Sequence, residues 1–110
     1  MSLAPPPSRF AALPRAWALG VRVPVATGFG ARLLGLALLP RERAGPGLLL
    51  PRCRSVHSFG MRFTIDVVFL DAGGNEIRRE RLRPRRLAWE RRAAAVLELP
   101  LGGAGQTPGV

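Results

Sequence analysis

Apolar and polar positions alternate along much of this chain, and the alternation predicts strands. Val21 to Ala26 sets Val21, Val23 and Val25 against Arg22, Pro24 and Ala26, the pattern of a half-buried strand, and Pro24 assigns it to an edge. Gly47 to Leu50 is a short apolar run bounded by Pro46 and Pro51, and is read as a buried strand. Phe63 to Asp71 is the clearest element. Phe63, Ile65, Val67 and Phe69 share one face, and Thr64, Asp66, Val68 and Leu70 share the other. Both faces are largely apolar, which predicts a central strand. Asp71-Ala72-Gly73-Gly74-Asn75 reads as a hairpin loop, and Glu76 to Arg83 returns with charges on both faces, as an edge strand does. Ala93 to Leu99, closed by Pro100, is the last strand, with a helix over Trp89 to Glu98 as the alternative.

One stretch breaks the period of two. Thr27 reads as a helix N-cap, and Phe29, Leu33 and Leu36 fall at i, i+4 and i+7 of a short helix over Gly28 to Leu38, stopped by Pro40. Residues 1–20, with Pro5, Pro6 and Pro7, read as a flexible lead-in. Arg52 to Gly60 and Pro84 to Arg92 read as polar and basic loops. The chain has 13 Gly and 11 Pro among 110 residues, a turn-rich composition that favours a mainly β domain, with α+β as the alternative. A chain of this length makes a single domain with one modest core.

Composition adds three constraints. All 17 basic residues are Arg, and the net charge is +10. Codon bias explains an Arg-only basic set as compositional drift, and a polyanion-binding surface is the sharper alternative. The single Cys excludes an internal disulfide and a Cys-rich zinc site. No run approaches the ~18 to 20 apolar residues that span a bilayer, and the N-terminus has no clean apolar signal core, so a cytoplasmic location is expected.

Three strings carry a resemblance: ATGFGARLLGL (Ala26 to Leu36), GLLLPRCRSVHSFGMRFTIDVVFLD (Gly47 to Asp71) and VLELPLGGAG (Val96 to Gly105). Together they resemble domain-of-unknown-function family 192, an uncharacterised bacterial and archaeal family. The resemblance covers roughly residues 21–105. Its most specific part runs from His57 through Met61 and Asp66 to Gly73-Gly74, supported by Leu97-Glu98-Leu99 with Pro100 and Gly102, and by Arg32 with Gly35-Leu36. It implies a compact antiparallel β-sandwich, jelly-roll-like, with one short helix, and it implies no established activity and no cofactor. Family members continue past the Gly-rich segment into a closing strand. This chain ends at Val110, so residues 106–110 are expected to be a disordered tail, either diverged or truncated.

The candidate chemistry sits in and around Arg52 to Asp71. His57 is the only imidazole and a candidate base or metal ligand. Cys53, four residues earlier and flanked by Arg52 and Arg54, is a candidate nucleophile only if a bent loop brings thiol and imidazole together. Asp66 inside an apolar run must be paired. It is read as a brace accepting from Arg62, another Arg or loop amides, or as one member of a pocket with His57 and Glu98 that binds a metal or performs acid–base chemistry. A ligand surface is expected to involve His57, Ser58, Met61, Asp66 and Glu98. Arg78, Arg79, Arg81, Arg83, Arg85 and Arg86, continuing to Arg91 and Arg92, form the candidate polyanion surface, with Trp89 the only aromatic among them. The leading expectation is a non-enzymatic binding or scaffold module, with a protein as a candidate partner and weak non-specific polyanion binding. The alternatives are the His57, Asp66 and Glu98 enzyme and the arginine-based polyanion binder.

Overall fold

The computed structural model describes residues 12–27 and 45–100, and among these residues the chain is built of eight strands. They are β1 (Arg15–Ala18), β2 (Val21–Pro24), β3 (Leu48–Pro51), β4 (Ser55–His57), β5 (Ile65–Leu70), β6 (Glu76–Leu82), β7 (Leu87–Trp89) and β8 (Ala95–Pro100). The expected mainly β, antiparallel architecture is present. The helix expected over 28–38 and the tail expected over 106–110 lie outside the described residues. Among the described residues, no helix is long and apolar enough to cross a membrane.

A four-stranded sheet in the order β3-β8-β5-β6, antiparallel throughout, forms the centre. β5 is buried at all six positions because it has a neighbour on each side and a layer on each face. Ile65, Val67 and Phe69 join Leu48, Leu50, Val56, Met61, Leu82, Ala88 and Val96 in one core. Val68 and Leu70 join Ala18, Val21, Val23, Leu97 and Leu99 in the other. The β1–β2 hairpin therefore covers one face of the sheet, and the two-stranded β4–β7 ribbon covers the opposite face. The hairpin is tied to the sheet edge by a parallel bridge between Val25 and Leu49 and by Ala26 N–H donating to Leu49 O at 2.8 Å.

Three segments differ from the sequence expectation. Arg15–Ala18, placed in the lead-in, is a strand paired with Val21–Pro24. Both expected loops contain a strand: Ser55–His57 lies inside one, Leu87–Trp89 inside the other, and they pair with each other. The reason is common to all three. Each is short, and its burial comes from a distant partner rather than from a readable local period. Ala95–Pro100 forms the expected last strand in place of the alternative helix, and it takes a central position between β3 and β5.

The Asp71–Asn75 hairpin forms as its residues predict. Asp71 Oδ1 accepts from the amides of Gly73 and Asn75, both at 2.9 Å, and Gly74 takes a φ of 83°. The Asn75 amide, ahead of the other donors, holds the Asp71 carboxyl below the usual carboxylate range.

Candidate functional site

Strand parity decides where each candidate side chain goes. Asp66 shares the face of Val68 and Leu70, beneath the β1–β2 hairpin. Glu98 shares the face of Val96, on the side of the β4–β7 ribbon, opposite Val67 on β5 and Leu48 on β3. The two carboxylates thus project from opposite faces of one sheet. His57 lies on the outward face of β4, because Val56 is the residue that β4 turns into the core. His57, Asp66 and Glu98 do not converge, and the described residues contain no cluster of three or more His, Cys, Asp or Glu side chains able to hold a metal ion.

Asp66 is braced. Arg81, its cross-strand neighbour on β6, donates through Nε to Asp66 Oδ1 at 3.3 Å, and Arg79 approaches Oδ2 at 3.7 Å. The brace comes from β6 and not from Arg62, because β6 is the edge strand paired to β5. Cys53 is separated from His57 by the extended run of β4, and its thiol donates to Ser55 O at 3.0 Å. Met61 is a buried member of the core.

Ser58 is fully buried, and its hydroxyl is committed to structure. Oγ donates to Arg83 O at 2.5 Å and accepts from Arg86 N–H at 2.8 Å. The Ser58 backbone donates to Arg86 O at 2.9 Å and accepts from Arg85 N–H at 3.2 Å. Ser58 therefore clips the end of β4 to the turn before β7, where Arg85 holds a φ of 65°. Ser58→Ala leaves the Arg86 amide without this partner and is expected to cost about 1–3 kcal/mol. A urea melt checks this, and an unchanged midpoint overturns it.

The outward face of the β4–β7 ribbon carries the features that sequence reading missed. Its cross-strand pairs are Ser55 with Trp89 and His57 with Leu87. Trp89 is 68% exposed, Leu87 62% and Phe59 52%, three of the five exposed large hydrophobic side chains among the described residues. The Phe59 and His57 rings lie 5.9 Å apart, tilted by 41°. A groove of about 300 Å³ runs beside this face, lined by Arg78, Glu80, Leu87, Trp89 and Arg91 among others. Arg78 forms its wall. Its guanidinium lies over the Phe69 ring at 5.6 Å, donates to Trp89 O at 2.8 Å and pairs with Glu80. The sequence signal for this face was Leu87-Ala88-Trp89, a large-small-large triplet whose middle residue alone is buried.

The expected polyanion set divides in two. Arg78, Arg79 and Arg81 are engaged with Glu80, Glu76 and Asp66. Arg83, Arg85 and Arg86 have no carboxylate partner among the described residues. Arg92 is held by Glu90 at 2.8 Å, and in return the Arg92 guanidinium lowers the Glu90 carboxyl to about 2.

A family model described as Uncharacterized ACR, DUF192, matches residues 13–108 of this chain. No curated protein and no solved structure matches it.

Proposed function

The chain belongs to the DUF192 family, and from that premise we propose that it is a non-enzymatic binding module whose contact surface is the outward face of the β4–β7 ribbon. The observation that supports the reading is the joint exposure of Leu87, Trp89 and Phe59 on one side of a strand pair whose other side is core. Single exposed apolar residues are ordinary, but neighbouring large ones on a rigid ribbon mark an interaction surface. Ribbon and sheet supply the rigidity: Val56 and Ala88 anchor the ribbon from below, and Ser58 fixes its end. A cytoplasmic location goes with this reading, because Cys53 is a free, half-buried thiol and the fold draws nothing from an oxidising compartment.

The test is retention of the full chain at 150 mM salt on four immobilised probes: a single-stranded oligonucleotide, heparin, poly-glutamate and anionic phospholipid vesicles. At least one probe is expected to retain the chain and to lose about tenfold or more in affinity with the Leu87→Ser/Trp89→Ser double variant. Both positions are exposed, so the variant should melt with the parent. No retention on any probe, or retention indifferent to the double change, overturns the reading.

A further inference from the structure

The described residues contain six carboxylates, and each is accounted for. Asp66 faces Arg81 and Arg79, Glu76 faces Arg79, Glu80 faces Arg78, and Glu90 faces Arg92. Asp71 caps its own hairpin, and Glu98 is buried in the core. Arg15, Arg22, Arg54, Arg62, Arg83, Arg85 and Arg91 have no carboxylate among the described residues, and the Arg86 guanidinium reaches only Arg85 O at 3.2 Å.

Five of these cations, Arg54, Arg83, Arg85, Arg86 and Arg91, gather at the two ends of the β4–β7 ribbon. Arg54 O accepts from Glu90 N–H at 2.8 Å, so Arg54 and Arg91 flank the Ser55–Trp89 end of the ribbon. The Ser58 clip places Arg83, Arg85 and Arg86 at the His57–Leu87 end. Between the two ends, three residues of strand span about 7–10 Å and present Trp89, Leu87, His57 and, beside it, Phe59. Uncompensated guanidinium groups therefore bracket a short platform of exposed rings.

We propose that this platform binds single-stranded nucleic acid, with bases stacking on Trp89 and on the His57–Phe59 pair and phosphates taken by the arginines at either end. The inference rests on the binding-module reading above. Three features favour this ligand. Arginine forks suit phosphate, and exposed rings suit unstacked bases, so one ligand answers both. The face is a mosaic: each apolar residue sits across from a polar one, Trp89 from Ser55 and Leu87 from His57. A hydrocarbon phase rewards a continuous apolar surface, whereas a nucleobase offers a π face and polar edges side by side. A duplex, in turn, hides its base faces and leaves the rings unused.

The test is fluorescence anisotropy of a labelled 12-nucleotide single strand with the full chain, titrated at 50 to 200 mM salt beside a duplex of equal length. Neutralising three or four phosphates gives a slope of log K against log salt of about −2 to −3. Trp89→Ala is expected to weaken binding by about tenfold with the slope unchanged. Arg85→Gln/Arg91→Gln is expected to flatten the slope by roughly 1.4. All three side chains are exposed, and thermal melts confirm that the variants remain folded. Single-strand binding that ignores Trp89, or a duplex bound as tightly as the single strand, overturns the inference. Capture of poly-glutamate or vesicles through Trp89 without the oligonucleotide also overturns it and leaves the binding-module reading standing. Capture of nothing overturns both.

Discussion

Gly47→Ala is expected to remove several kcal/mol of stability, enough to leave the chain partly unfolded or insoluble at 37 °C. Gly47 leads into β3 with a φ of 137°, a conformation that L side chains rarely adopt. A Cβ there would lie 2.6 Å from Glu98 O and 3.0 Å from Leu99 Cδ2. Both neighbours belong to β8, the strand between β3 and β5, so neither is free to retreat. Shifting the Glu98 carbonyl disturbs the ladder in which Glu98 faces Leu48 on one side and Val67 on the other. Backbone strain of this kind costs about 1–3 kcal/mol, and a forced overlap in a packed core about 1–3 more. A small domain has only about 5–15 kcal/mol in total. The control is Gly74→Ala in the Asp71–Asn75 hairpin. It also has a positive φ, 83°, but nothing lies within 4 Å of its added Cβ, so only the backbone term applies. Urea melts of the two variants separate the terms. If Gly47→Ala costs no more than Gly74→Ala, the close approach to β8 is not what makes glycine necessary.

The sequence made the central sheet readable for a physical reason that fails elsewhere in the chain. β5 is six residues long and apolar on both faces, so Ile65 to Leu70 signals a central strand without help from any partner. The Asp71–Asn75 loop and the charged edge strand β6 follow from turn chemistry and exposure, which are also local properties. β4 and β7 have three residues each, and a single buried residue, Val56 or Ala88, is too little for a period to show. Their flanking arginines, Arg54 and Arg86, resemble those of a solvated loop. The expected grouping of His57, Asp66 and Glu98 failed for a related reason. Parity within a strand is legible, but the relative register of two strands is not. Once Val67 pairs with Glu98, Asp66 must point away from it. The exposed face of the ribbon emerged only when two apparent loops were seen to pair.

Raising the pH from 5 to 8 is expected to destabilise the domain by about 3 kcal/mol through one residue, Glu98. Glu98 is buried on the apolar face of β8 between Leu48 and Val67, and its Oε1 has no hydrogen-bond partner. Burial raises the carboxyl from 4.5 to about 7. The sign follows from proton binding. Below about 4.5 both folded and unfolded chains hold the proton, and the residue carries no penalty. Between 4.5 and 7 the unfolded chain ionises while the native state stays protonated, so stability falls by roughly 1.4 kcal/mol per pH unit. Above 7 both states are ionised and the loss levels off. Glu90 and Asp71, whose carboxyls are lowered in the fold, act in the opposite direction and below this window, so they do not mask it. Glu98→Gln removes the titration and should flatten the stability profile between pH 5 and 8. Glu98→Leu also removes the orphaned polar atom, and at pH 8 it should raise the melting temperature by very roughly ten degrees or more. Chemical melts of the parent and both variants across that range give the result. Parallel pH profiles in all three would mean that the carboxyl has found a compensating partner. A downward slope confined to the parent would establish that the domain keeps, in its core, a carboxyl that lowers its stability at neutral pH.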